Sequence, residues 1–254
     1  MTTTRIARIP YLNSAPFYRG LSLGERYELT DCVPRAMGVQ ASAGELLAGL
    51  LPLADYFRLE GAYERVGRFG IAVRGRVRSV ILFSRKPLRQ LDGAVIAVTE
   101  ETSTTAILLR LLLEQRHRII PTAYERGERP DADALLLIGD EALRFQQRND
   151  QYPFETDLAF EWWLWQHLPC VFAVWAIRKD AEPDEKRHVE VALAKSLGVN
   201  LRQLERLAHE ASPGLGVPAE ELRTYLSHFT YRFAQPEEDA IARFKELVDE
   251  HHLL

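Results

Sequence analysis

Short apolar runs alternate along the first two thirds of the chain with stretches whose apolar positions recur at helical spacing. The runs Ile6–Ile9, Ala94–Val98, Ala134–Ile138 and Cys170–Ile177 predict buried strands, and Ala48–Phe57 reads as a short buried strand running into a helix. Tyr27–Val33 alternates weakly and ends at Pro34, which predicts a further strand. Gly70–Val73 and Arg78–Phe83 are β-rich, with Gly75 as the turn between them. Helices are predicted over Arg35–Leu47, interrupted at Gly44, and over Ala106–Gln115, from about Glu141, and over the aromatic-rich Asp157–Gln166. After Pro183 the texture changes. Asp184–Leu197, Leu201–Ala211, Ala219–Ser227 and Glu237–His252 all carry helical periodicity, and only Phe229–Phe233 is β-prone among them.

Alternation of strand and helix predicts an α/β chain with parallel-type sheets and right-handed crossovers. Two strand-rich parts with helices returning at the end predict two lobes. The crossings are expected at Ser79–Ser84 and Cys170–Ile177. Lobe one would then hold residues 1–83 plus 178–254, and lobe two residues 84–177. Ligands of such folds sit at the carboxyl ends of strands, here in the cleft between the lobes.

The 254 residues are 46% hydrophobic and 27% charged, enough for one large or two modest cores. A net charge of −4 points away from nucleic acid and from anionic membrane surfaces. No apolar run reaches the ~18 residues of a membrane span. The start, Met1 to Ile6, has no apolar leader, and Cys32 and Cys170 are isolated, so the expectation is a reduced, cytoplasmic chain. No cysteine or histidine falls in a metal-ligand spacing, and no metal is expected. The four tryptophans are read as core or interface packing.

Two stretches carry candidate chemistry. In Arg8-Ile-Pro-Tyr-Leu-Asn-Ser-Ala-Pro16 a strand ends in a polar turn with Asn13 and Ser14, and Pro16 sits where a helix starts. The strand at Ala94–Val98 leads into Thr102-Ser103-Thr104-Thr105, four hydroxyl residues at a helix start, suited either to capping or to holding an anion. Asn13, Ser79, the threonine loop and Asp140 all fall at strand ends or crossings.

These pieces have a recognisable order. Arg8 to Pro16, Gly44-Glu45, Leu50-Leu-Pro-Leu-Ala-Asp-Tyr-Phe57, Arg78-Ser79-Val80, Leu91-Asp-Gly93, Ile96-Ala-Val-Thr99, Leu136-Leu-Ile-Gly-Asp140 and Trp162 to Trp175 together resemble the chorismate dehydratase family of the futalosine route to menaquinone. The resemblance runs from about Arg5 to Arg178, with a looser helical match beyond. It implies the two-lobed, type II periplasmic solute-binding-protein fold with the ligand cleft between lobes. It also implies a cofactor-free hydro-lyase that converts chorismate to 3-[(1-carboxyvinyl)oxy]benzoate and water.

Carried onto this chain, Asn13 and Ser79 match the family's two active-site polar residues, expected to orient chorismate and donate hydrogen bonds. Thr102, Ser103, Thr104 and Thr105 would hold a carboxylate, and Tyr11, Ser14, Gly139 and Asp140 complete the expected substrate-binding set. For the base, Asp140 raised in pKa by burial and the substrate's own enolpyruvyl carboxylate both stand, and the second is favoured. Arg8 and Arg78 are the arginines near in sequence that could clamp a carboxylate.

Leu47 stands where the family usually has an acidic residue, and Glu100-Glu101 replace small residues beside the anion loop. At ~8 Å and an effective dielectric of ~40, each carboxylate would cost a dianion about 1 kcal/mol unless it points to solvent. The competing readings are a binding protein of the same fold for a small carboxylate, and the sister enzyme that makes 1,4-dihydroxy-6-naphthoate.

Overall fold

In a computed structural model, residues 4–127 and 129–254 are described. The first elements are β1 (Thr4–Arg8), α1 (Ala15–Tyr18), β2 (Tyr27–Asp31), α2 (Pro34–Ser42), β3 (Ala48–Pro52), α3 (Leu53–Leu59) and β4 (Tyr63–Val73). A middle block follows with β5 (Val80–Ser84), β6 (Val95–Val98), α4 (Thr104–Arg110, continued as a wider π-type turn over Leu111–His117), β7 (Ala123–Arg126), β8 (Ala134–Ile138), α5 (Gly139–Gln146) and β9 (Phe154–Asp157). The last block is α6 (Leu158–Gln166), β10 (Cys170–Arg178), α7 (Pro183–Asn200), α8 (Leu204–Leu215), α9 (Ala219–Ser227), β11 (Phe229–Arg232) and α10 (Gln235–Glu250).

The strands form two sheets, ordered β11-β4-β10-β3-β1-β2 and β7-β6-β8-β5-β9. The first sheet belongs to one lobe and the second to the other. Parallel pairing is confined to β2-β1-β3 in the first and β7-β6-β8 in the second. The expectation of parallel-type sheets therefore holds for half of each. One exception, the antiparallel pair of β11 and β4, lies at the edge of the first sheet; the others share a cause. β5 and β10 each enter a sheet from the opposite lobe, so their direction follows the crossing and not a crossover helix, and both run antiparallel to their neighbours.

The same pairing corrects the expected lobe boundaries. Val80–Ser84 pairs with Ala134–Ile138 of the second sheet, and Cys170–Arg178 pairs with Ala48–Pro52 of the first. The crossings thus fall before Val80 and before Cys170, not within those strands. Both crossings are tied to one carboxylate. Asp157 Oδ2 accepts the N–H groups of Val77 and Arg78 at 2.9 and 2.8 Å, and its Oδ1 accepts from Phe160 N at 3.1 Å, capping α6. Arg78 sits there at φ +66°, an uncommon conformation for a side-chain-bearing residue, held by that carboxylate.

β3 and β5 are buried at every position, as continuous apolar strands inside covered sheets must be. Trp175 and Phe17 are wholly buried with ring centroids 5.8 Å apart. Trp162 of α6 packs on Phe244 of α10 and donates to Pro169 O at 3.0 Å, so it joins the second crossing to the C-terminal helix. These two tryptophans are core, as expected. Gly44, at φ +74°, stops the helix expected through Leu47. α2 ends at Ser42, and residues 45–47 lead into β3, with Leu47 buried. No helix among the described residues is long and apolar enough to cross a membrane.

Candidate active site

The turn after β1 is built by Ser14. Its hydroxyl donates to Ile9 O at 2.6 Å and lies 2.8 Å from Tyr11 O, and its N–H donates to Tyr11 O at 3.1 Å. Ser14 is fully buried. Closing the turn in this way aims Tyr11 and Asn13 outward, toward the second lobe.

Five hydrogen bonds draw the lobes together around that turn. Tyr11 donates its hydroxyl to the Glu101 carboxylate. Leu12 N donates to Asp140 Oδ1 at 2.9 Å, and Arg35 N to Glu101 O at 2.9 Å. Ala54 N donates to Thr104 Oγ1 at 3.1 Å, and Ser103 Oγ to Asp55 Oδ2 at 2.6 Å. Burial raises the pKa of the Asp55 and Asp140 carboxyls, although each accepts a hydrogen bond that acts the other way. Gly139 makes the approach possible. A Cβ there would lie 2.8 Å from Cδ2 of the Tyr11 ring, and its φ of +59° also favours glycine.

Between the lobes lies a cavity. Its apolar walls come from Ile9, Pro34, Pro52, Ile71 and Phe172 of the first lobe, from Val77, and from Val80 and Ile138 of the second. Its polar side chains are Tyr11, Asn13, Thr102, Thr104 and Thr105. No carboxylate, imidazole, amine or guanidinium is among the described lining residues. The Thr102 and Thr105 hydroxyls bond to each other, and Thr105 N donates to Thr102 Oγ1 at 3.2 Å. One hydroxyl proton of that pair stays available, as does that of Thr104, whose oxygen accepts from Ala54. Asn13 Oδ1 is buried with no hydrogen-bond partner among the described residues.

Of the residues expected from the sequence, Tyr11, Asn13, Thr102, Thr104, Thr105 and Gly139 meet at this cavity. Ser79 is wholly buried just behind its wall, between the lining residues Val77 and Val80, and its carbonyl accepts from Gly139 N at 2.8 Å. Ser103, Ser14 and Asp140 are turned elsewhere. Ser103 is spent on Asp55, while Ser14 and Asp140 face a separate groove beside Arg19 and Glu210. Arg8 is paired with Asp31 at 2.5 and 2.9 Å, Arg78 reaches Glu221 at 3.5 Å, and neither lines the cavity.

Glu100 and Glu101 line a separate basin of the second lobe and are not among the described residues that line the cavity. The Glu101 carboxylate accepts from the hydroxyl of Tyr11, a lining residue, and Glu100 lies near enough to Arg126 to act on its charge, so both stay close to the lobe junction.

Two groups were not read from the sequence. Tyr225 of α9 is buried and donates to Ser79 Oγ at 2.8 Å. It lies on the apolar face of its helix beside Leu222 and Leu226, where a tyrosine reads as core, and nothing local signals a partner 146 positions away. Arg126 of β7 donates to Thr102 O at 3.0 Å over the threonine loop. Its pKa is lowered by burial and then by nearby Arg35, while the Glu100 and Asp55 carboxylates act the other way, so charges of both signs meet here.

The model of a family described as menaquinone biosynthesis matches residues 4–250. A chorismate dehydratase from Thermus thermophilus is 32% identical over 258 residues, covering 94% of this chain and 92% of that protein. A crystal structure of an Archaeoglobus fulgidus protein superposes with a TM-score of 0.80 at 19% identity, covering 99% of this chain and 98% of that one. The alkanesulfonate-binding protein SsuA from Xanthomonas axonopodis pv. citri, bound to MOPS, superposes with a TM-score of 0.69 at 16% identity, covering 100% and 94%. The structural likenesses establish the two-lobed periplasmic-binding-protein fold, and the sequence matches establish kinship: the chain belongs to the menaquinone biosynthesis family.

Proposed function

We propose that this chain is a chorismate dehydratase that works in the cavity between its lobes. The observation that carries the reading is the cavity's lining: uncharged hydrogen-bonding side chains set in apolar walls, with no side-chain base among them. The curated relative from Thermus thermophilus, named for this activity, adds kinship across nearly the whole chain.

The reaction is a redox-neutral elimination. The C–H bond at the ring carbon bearing the enolpyruvyl ether breaks, and its electron pair becomes a ring double bond. The neighbouring hydroxyl leaves with the C–O pair, and the released proton and hydroxide make water. Aromatisation drives the reaction forward. Charge that builds in the ring as the proton leaves spreads to the ring carboxylate. Two hydroxyl donors, Thr104 and one of the Thr102–Thr105 pair, would stabilise it there, more strongly in a dry cavity than in water.

With no carboxylate on the lining, the enolpyruvyl carboxylate of the substrate is the base that fits. Apolar surroundings raise its proton affinity, and confinement holds it beside the proton it takes. Asp140 faces the other groove and is engaged with Leu12 N. Asp140→Asn, whose amide oxygen still accepts that N–H, should therefore keep kcat within about fivefold. A loss of about 10²–10⁴, the amount a general base supplies, would make Asp140 the base.

Arg126 and Arg35 attract the dianion to the rim without touching the reacting carbons. Arg126→Gln should raise KM by about three- to tenfold with kcat retained, and the difference should shrink at high salt.

The test of the activity is incubation of purified protein with chorismate, followed by ultraviolet absorbance and mass. The expected result is an aromatic product lighter by one water. Chorismate bound but unchanged would instead make the chain a small-carboxylate binder.

A further inference from the structure

Tyr225 stands in an otherwise apolar setting, its ring 5.0 Å from that of Phe229, with its hydroxyl buried at the junction of the two lobes. That hydroxyl has two polar neighbours, Ser79 and Asn13. It donates its single proton to Ser79 Oγ at 2.8 Å. The phenol oxygen can then only accept, so the Asn13 atom facing it must be the amide nitrogen. An amide so fixed turns its other end away. That end is Asn13 Oδ1, the buried oxygen without a partner among the described residues, on a side chain that lines the cavity. A buried acceptor left unmatched is costly unless a ligand supplies a donor. With both carboxylates ionised, chorismate has one donor to offer, its ring hydroxyl, which is the group lost in the reaction.

We infer that Tyr225 is a positioning residue for the dehydration. Its hydroxyl, shared between Asn13 and Ser79, sets the direction of the Asn13 amide so that Oδ1 meets the hydroxyl that the substrate loses. The inference rests on the chorismate dehydratase reading. It adds a recognition rule: ligands of this cavity bind productively when they carry a hydroxyl donor opposite Asn13. With the phenol hydroxyl removed, the amide can flip and present N–H groups instead, which disfavours a hydroxyl donor but leaves room and charge unaltered.

Tyr225→Phe keeps the ring and removes the hydroxyl. It should lower kcat by about tenfold or more, while KM and the inhibition constant of the hydroxyl-free product stay within about threefold. Tyr231→Phe is the matched control. Tyr231 is also buried, on the neighbouring strand β11, and its hydroxyl has no partner among the described residues. That variant should match the parent in both constants.

A merely structural role for Tyr225 would weaken product binding along with turnover, and that pattern would overturn the inference. So would Tyr225→Phe turning over within about twofold of the parent. If the parent itself forms no product, the activity reading fails, and the inference with it. If the parent is active and Tyr225→Phe is equally active, only the inference fails.

Discussion

Replacing Asn13 with leucine is expected to lower kcat for chorismate dehydration by about 10²–10³-fold, the range seen when one preorganised polar group is taken from a reacting centre. Leucine matches asparagine in shape, so the cavity keeps its volume and loses only its polar end. The amide sits on a turn that Ser14 holds by its own hydrogen bonds to Ile9 and Tyr11. The turn therefore survives the change, and thermal unfolding should move by no more than a few degrees. Among the described residues Asn13 is the one lining amide and its oxygen has no partner, so no described neighbour takes over its role. Steady-state kinetics beside a melting curve check both halves. A leucine variant that turns over within about threefold of the parent would remove Asn13 from the chemistry.

The second large effect is expected at Gly139. Valine there would place its Cβ about 2.8 Å from the Tyr11 ring, closer than side chains approach, in a backbone conformation of φ +59°. Tyr11 cannot simply swing aside, because its hydroxyl is held by Glu101 across the lobe junction. Gly139 N also donates to Ser79 O, so a shift of this backbone drags the Ser79 end of the site with it. A displacement of about 1 Å at a reacting centre costs on the order of 10²-fold, and that is the loss expected in kcat/KM. The left-handed conformation costs a β-branched side chain roughly 1–2 kcal/mol, which should lower Tm by several degrees. Lowered Tm with unchanged kcat/KM would mean that closure of Tyr11 over Gly139 is not needed for turnover.

The parts of the fold that were legible share a physical origin. Strands buried on both faces need continuous apolar runs, and β3, β5, β6, β8 and β10 all carry them. The strands that escaped notice are β7, Ala123-Tyr-Glu-Arg126, and β9, Phe154-Glu-Thr-Asp157. They are the two edges of the second sheet, where polar side chains face solvent and no run forms. The first half of β4 was hidden in the same way by Glu64, Arg65 and Arg68. The exact crossing points are not legible, because an apolar run shows that a strand is buried but not which sheet buries it.

The site was legible where its residues are contiguous. The turn at Tyr11–Asn13 and the loop at Thr102–Thr105 each sit on one short segment that strand-to-helix punctuation marks. Which hydroxyls face the cavity was not legible, since Ser103 and Ser14 differ from Thr104 and Asn13 only in the direction that the folded backbone gives them. Glu100 and Glu101 stand beside the anion loop in the sequence, but neither is among the described lining residues; both line a separate basin, and Glu101 is engaged by Tyr11. Tyr225 could not be found by pattern. Its partner Ser79 lies at a lobe crossing, and only the return of the C-terminal helices to the first lobe brings them together.

The central claim is that the dianion is held between the lobes by uncharged donors, and a crystal structure of the protein saturated with 3-[(1-carboxyvinyl)oxy]benzoate tests it most directly. The expected result is product in the cavity, with its ring carboxylate against Thr102, Thr104 and Thr105 and its ring edge at Asn13. Product bound in the groove beside Asp140 or in the basin beside Glu100, with the cavity unfilled, would contradict it.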